Sequence, residues 1–219
     1  MTRKTALAAG LALVAASVAI SLWAYPHVPA RVSSHWDVAG NVNGYSPRWL
    51  AMTLVPAIAA FVWFLMLVLP AISPRGFRLD RSASAFYESV LAIVATLVLL
   101  HAVVARAQAA GATPPLAAGL ILIGALFVVL GNLMGKLQKN FFIGIRTPWT
   151  LASDEVWLKT NRLTGRLMVA CGLAIAISSF VPAVTVGALI ATVVALIAVP
   201  AIYSYVLYRR TEGFGPNGT

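Results

Sequence analysis

The sequence predicts an all-α, polytopic membrane protein with six transmembrane helices, both termini on the cytoplasmic side, and a short hairpin-like loop outside. Three observations predict it. Of the 219 residues, 60% are hydrophobic and only 10% charged, whereas soluble domains are about 25% charged. The charge-free runs are long enough to cross a bilayer, which takes about 20 residues. The basic residues fall mainly on alternate sides of those runs, as the positive-inside rule requires.

The first run, 5–28, follows Arg3 and Lys4. It resembles a signal peptide, but it exceeds the roughly 7–15 apolar residues of a secretory core, so a retained helix is expected over a cleaved leader. The second, 49–69, is closed by Pro70 and Pro74. The third, 85–105, contains Glu88 and His101, and the fourth covers 116–134. From 167 to 208 there are 42 residues without a charge, about twice one crossing. Ser178, Ser179, Pro182 and Gly187 supply turn chemistry near its middle. Two helices there make six; one would make five. With the N-terminus inside, six spans place 13 basic residues in the cytoplasm and 3 outside. Five spans would move Arg209 and Arg210 outside, which the same rule disfavours.

These spans divide the chain into an N-terminal two-helix unit with its outer loop (1–84), a third helix with a short outer loop (85–115), a C-terminal three-helix unit with a long inner loop (116–210), and a flexible tail (211–219). The formal charge of +10 serves topology and anionic lipid, since no basic stripe lies on a soluble fold; direct nucleic-acid binding is not expected. Cys171 is the single cysteine, which excludes an intramolecular disulfide and a thiolate metal cluster.

The outer loop carries SSHWDVAGNVNGYSPRW. Alternation of Val32, Ser34, Trp36 and Val38 with Ser33, His35 and Asp37 suggests a strand, and Gly40-Asn41 and Asn43-Gly44 are turn signals. A small hairpin is expected, with Trp36, Tyr45 and Trp49 in the interfacial aromatic belt. His35 and Asp37 share a strand face, but two ligands are too few for a metal site. The alternatives are a hydrogen-bonded cap and a surface that recognises an extracellular ligand.

The inner loop carries NFFIGIRTPWTLASDEVWLKTNR, 140–162. Gly144 permits a sharp turn, and Thr147 before Pro148 is driven extended. Trp149 suits the head-group level. Thr150 or Ser153 can cap a helix starting at Asp154, whose first turn favours Asp154 and Glu155. Glu155 and Lys159 form an i, i+4 pair. Capping explains about half of this polar density. Asn140, Arg146, Thr147, Thr150, Ser153, Asn161 and Arg162 exceed that need, and a pocket or partner surface centred on Arg146, Trp149, Trp157 and Arg162 is the functional reading. Lipid phosphate is the first ligand to assign to such arginines.

Catalysis has little support. No Ser–His–Asp set converges, there is no P-loop and no HExxH, and the adjacent Asp154 and Glu155 diverge by about 100° on a helix. No cofactor or metal is expected. Glu88 near the inner interface suits a pairing with Arg78 or Arg81. His101 lies about 20 Å from Glu88 along the helix, too far for a direct relay, and is expected to bond a neighbouring helix. Asn132 lies within a Gly131–Gly135 small-xxx-small pattern for close packing.

Residues 135–167 resemble the signature of the SdpI family of bacterial membrane proteins, G-K-x-x-x-N-x-x-x-G-I-R-T-P-W-T-L-x-S-x-x-x-W-x-x-T-H-R. The match falls on Gly135, Lys136, Asn140, Gly144, Ile145, Arg146, Thr147, Pro148, Trp149, Thr150, Leu151, Ser153, Trp157, Thr160 and Arg162. The outer HWDVAGNVNGY resembles the H-W-[DN]-x-x-G loop of an uncharacterised domain often found with that family, at His35, Trp36, Asp37 and Gly40. Asn161 replaces the usual His, and Asn43 the frequent Asp. The resemblance implies a multi-pass protein of the bacterial cytoplasmic membrane, without catalysis, giving immunity to a secreted membrane-active peptide toxin. It also implies that the toxin-bound protein sequesters a transcriptional repressor at the membrane. The alternatives are a small-molecule or ion transporter, which would need Glu88 or His101, and a lipid-modifying enzyme, which would need Asp154 or Glu155.

Overall fold

A computed structural model describes residues 1–37, 41–73 and 79–213. Helix α1 (Arg3–Ala24) is capped by Thr2, whose hydroxyl accepts the Thr5 N–H at 3.2 Å. Strands β1 (Arg31–Trp36) and β2 (Val42–Pro47) lead into α2 (Arg48–Val68). A 3₁₀ turn (Leu79–Ser82) precedes α3 (Ala83–Ala109) and α4 (Leu116–Met134). The short α5 (Pro148–Ala152) is followed by α6 (Asp154–Ser178) and α7 (Pro182–Thr211).

Helix α3 runs past the predicted end at 105. It stops at Gly111, which takes φ +68°, while the Ala112 N–H returns to the Ala107 carbonyl at 2.9 Å. This is the Schellman closure that glycine permits without Cβ strain. The 42-residue uncharged run breaks after Ser178, and Pro182 opens α7. Thr185 Oγ1 donates to the Ser178 carbonyl at 2.9 Å and closes the turn. Gly187, expected in that turn, lies inside α7 instead, because Pro182 restarts the helix five residues earlier.

The hairpin pairs antiparallel, with Val32 opposite Ser46, Ser33 opposite Tyr45, and Trp36 opposite Val42. Register shifts flank His35, which faces Gly44. The Asn43-Gly44 turn signal is therefore corrected: both residues lie within β2. A Cβ on Gly44 would stand 3.0 Å from His35 Cβ, so this glycine serves close approach at a bulge, not a turn. The connection is tied by Asp37, whose Oδ1 accepts the Asn41 N–H at 2.8 Å. Gly40 and Val38 lie outside the described residues.

Helices α1, α2 and α3 pack mutually, and α4, α6 and α7 form a second group joined to the first through α3 and α4. Trp63 of α2 donates its ring N–H to the Leu7 carbonyl at 3.0 Å. Gly10 makes room, since a Cβ there would meet Trp63 Cδ1 at 2.4 Å. The closest approach is between α4 and α6. A Cβ on Gly131 would lie 2.5 Å from the Gly165 carbonyl oxygen, and one on Gly124 would lie 2.4 Å from that of Gly172. Each contact is reciprocal. The two pairs step in opposite directions along the chain, so α6 lies antiparallel to α4. The spacing in use is seven residues, which corrects the four-residue Gly131–Gly135 pattern. Gly135 contributes a looser contact to Arg162.

Among the described residues, five helices are long and apolar enough to cross a membrane: α1, α2, α3, α4 and α7. The first half of α6 is polar, which removes it from that set. Large apolar side chains such as Leu22, Phe61, Phe180 and Ile197 are more than half exposed. That is the surface of a protein whose solvent is lipid.

Candidate functional site

The chain between α4 and α6 is built around two buried asparagines. Asn140 Oδ1 accepts the N–H groups of Phe142 (2.9 Å) and Ile143 (2.8 Å), and its Nδ2 donates to the carbonyls of Gln138 (2.9 Å) and Ile143 (3.0 Å). One side chain thus satisfies a tight loop from inside. Asn161, on α6, does the same at the next turn. Its Oδ1 accepts the Ile145 N–H at 2.9 Å, and its Nδ2 donates to the Trp157 carbonyl at 2.9 Å. Both asparagines have no exposed surface.

Gly144 lies against this clamp with φ +112°. A Cβ there would meet Asn161 Oδ1 at 2.8 Å and Trp157 Cζ2 at 3.0 Å. Trp157 is 1% exposed and donates its ring N–H to the Leu137 carbonyl at 2.8 Å. It ties the end of α4 to α6.

Helix α5 was not expected as a separate element. Thr147, extended before Pro148, caps it through the Thr150 N–H at 3.2 Å, and Thr150 Oγ1 returns to the Thr147 N–H at 2.9 Å. This is a capping box with threonine in both roles. The Thr147 hydroxyl also reaches Ser204 Oγ on α7 at 3.0 Å. Trp149 stacks edge-on against Tyr205 at 5.1 Å between ring centroids. Ser153 caps α6 through the Val156 N–H and donates to Glu212 at 2.7 Å. Ser204 and Tyr205 escaped the sequence reading because nothing in an uncharged run singles out the residues that face a distant loop, and Glu212 because it falls in the segment expected to be a flexible tail.

The charges of the loop are partly matched. Lys139 pairs with Asp154 at 2.6 Å. Lys159 pairs with Glu155, whose hydrogen bond and charge raise the lysine pKa above its ordinary value. Arg146 donates to the Phe141 carbonyl and lies over that ring. Of the twelve signature residues expected to form one surface, Asn140, Thr150, Ser153, Trp157, Thr160 and Asn161 are buried, and Arg146, Pro148 and Arg162 are exposed. The first set holds the loop's shape, and the second is what that shape presents. The Thr160 hydroxyl has no protein partner among the described residues.

The remaining polar candidates stand apart. Glu88 accepts from Ser84 Oγ at 2.6 Å, one helical turn away, and lies 3.7 Å from the N-terminal ammonium; of its expected partners, Arg78 and the side chain of Arg81 lie outside what the structure describes. His101 is buried and its Nε2 lies 2.8 Å from Ser21 Oγ of α1, and Ser21 Oγ also lies 2.6 Å from the Met52 carbonyl of α2. This node joins three helices. Asn132 is exposed and donates to its own helix at the Val128 carbonyl. Gln108 of α3 holds the hairpin through the Ser33 carbonyl at 2.7 Å. Tyr45 and Trp49 are exposed, His35 is exposed, and Trp36 is half-buried. Among the described residues no three His, Cys, Asp or Glu side chains gather. Asp154 and Glu155 each face a lysine and not one another.

Comparison with known proteins places this geometry in context. Residues 136–204 match the SdpI/YfhL protein family, and residues 12–60 match a domain of unknown function. The chain is 36% identical over 93 residues to the immunity protein SdpI of Bacillus subtilis (strain 168). That alignment covers 42% of this chain and 44% of the relative, so the chain spans less than half of the relative's length in the match. No solved structure matches.

Proposed function

With its signature segment of the SdpI/YfhL type, we propose that this protein is an integral membrane immunity protein that protects a bacterial cytoplasmic membrane from a secreted membrane-active peptide toxin. The observation that carries the reading is the identity with a protein named for immunity, over a length that exceeds the signature loop alone. The reading includes no catalytic step.

The proposed topology has six crossings with both termini inside. It draws support from α6, which runs antiparallel along α4 and has 25 residues against 19. It also draws on the 13-to-3 division of basic residues. The signature loop then faces the cytoplasm and the hairpin faces outward. In this arrangement 1–84, 85–115 and 116–210 are the working units. The hairpin, with exposed His35 and Tyr45, is the proposed toxin-facing element. The exposed Arg146 and Pro148 are the proposed contact for a soluble partner, for which the resemblance suggests a transcriptional repressor.

The test is genetic. Cells lacking the gene are challenged with amphipathic peptide toxins and complemented with wild type or Arg146→Ala, with membrane abundance measured for each. Sensitivity of the deletion and rescue by wild type are expected. Equal survival of deletion and wild type across the peptides overturns immunity.

A further inference from the structure

The α4–α6 seam ends in three cations that no described carboxylate neutralises. Lys136, Arg162 and Arg166 are exposed and form no ion pair among the described residues. The nearby carboxylates of Asp154 and Glu155 are taken by Lys139 and Lys159. Glu88 shares a recess of about 190 Å³ with Lys136 but accepts its hydrogen bond from Ser84.

Geometry puts the three on one side. Gly131 meets Gly165, and Gly135 meets the Arg162 side chain, a Cβ there standing 3.4 Å from Cγ. In an antiparallel pair, the residue that follows each seam glycine turns about 100° toward the same flank. That rule places Asn132 and Arg166 together, with Lys136 one turn beyond Asn132. The glycine register also sets depth. Arg162 lies level with Met134 and Arg166 level with Leu130, alongside the last turn of a helix apolar enough to span. Further along the same flank, Ile121 and Ala125 of α4 and Ala170 and Leu173 of α6 are exposed and apolar.

A guanidinium beside a spanning helix is costly unless an anion meets it. Its aliphatic stem follows the apolar flank while its planar fork seeks oxygen at the interface. The anion present at that depth is a lipid phosphate. We propose that this flank is a binding site for an anionic phospholipid, its phosphate held by Arg162 and Arg166 with Lys136, and one acyl chain lying along Ile121, Ala125 and Leu173.

The test uses the full chain in uncharged detergent, with lipid retention read by native mass spectrometry. Phosphatidylglycerol is expected to be kept roughly tenfold or more over phosphatidylcholine. Arg162→Gln with Arg166→Gln abolishes that preference, whereas Arg209→Gln with Arg210→Gln preserves it. Equal retention of the two lipids by the unaltered chain overturns the proposal, and that comparison decides even if the first double variant fails to fold. Saturable binding of inorganic phosphate that displaces no lipid also overturns it, by marking a free-anion site.

Discussion

Asn161 Oδ1 accepts the Ile145 N–H at 2.9 Å, and it does so from a position with no solvent exposure. A side chain on α6 thereby fixes a loop residue sixteen positions earlier. The same oxygen lies 2.8 Å from where a Cβ on Gly144 would stand.

Replacing this asparagine tests the clamp. Asn161→Ala leaves the Ile145 N–H without its acceptor in a buried site, which costs about 1–3 kcal/mol. Thermal unfolding in detergent should show the loss. Limited proteolysis should cut first between residues 140 and 147, because that loop is released while the helices persist. An unchanged melting temperature and cleavage pattern would contradict the clamp.

The α4–α6 seam gives a sharper contrast. Gly131→Ala drives a Cβ to 2.5 Å from a backbone oxygen, and backbone cannot rotate away as a side chain can. Overpacking of this kind costs about 1–3 kcal/mol. Gly187→Ala, with nothing within 4 Å, should be neutral or stabilising, by up to about 1 kcal/mol for an exposed helix position. Denaturant titration of both variants measures the difference. Comparable stability of the two would mean that the helices separate without penalty.

The node of Ser21, His101 and the Met52 carbonyl is expected to act as one unit. Ser21→Ala and His101→Ala should each destabilise, and the double variant should lose less than the sum, with a coupling of about 0.5–3 kcal/mol. Additive losses would show that the two side chains do not share an interaction.

Lys159 offers a pH test. Glu155 raises its pKa above 10.5, so the folded chain binds this proton more tightly than the unfolded chain. The contribution is therefore fully present below the ordinary lysine value and lost as pH rises through the raised one. Glu155→Gln should return the Lys159 titration, followed by NMR of labelled lysine, toward the ordinary value, with only a small loss of stability at neutral pH because the pair is exposed. A titration unmoved by that change would dissolve the pair.

Some of the site was legible before any coordinates. Thr147 before Pro148, Ser153 before Asp154, and Glu155 four residues before Lys159 act within a single turn, and local chemistry alone fixes them. Asn140 and Asn161 were visible as polar residues beyond what capping required. Their direction was not visible. An asparagine that serves buried backbone and one that meets a partner look alike in sequence. The expected surface around Trp157 became an interior for that reason.

By itself the sequence determined that the protein is helical and built for a bilayer, and which family its signature resembles, since hydropathy, charge and caps act over one or two turns. Tertiary structure decided the rest. It chose Gly124, Gly131, Gly165 and Gly172 as the packing seam, and moved Asn43 and Gly44 from a turn into a strand. It also sent Thr147, Trp149 and Ser153 to Ser204, Tyr205 and Glu212 on α7. These depend on which helix lies beside which, and that follows from close packing between segments distant in the chain, which no local pattern records.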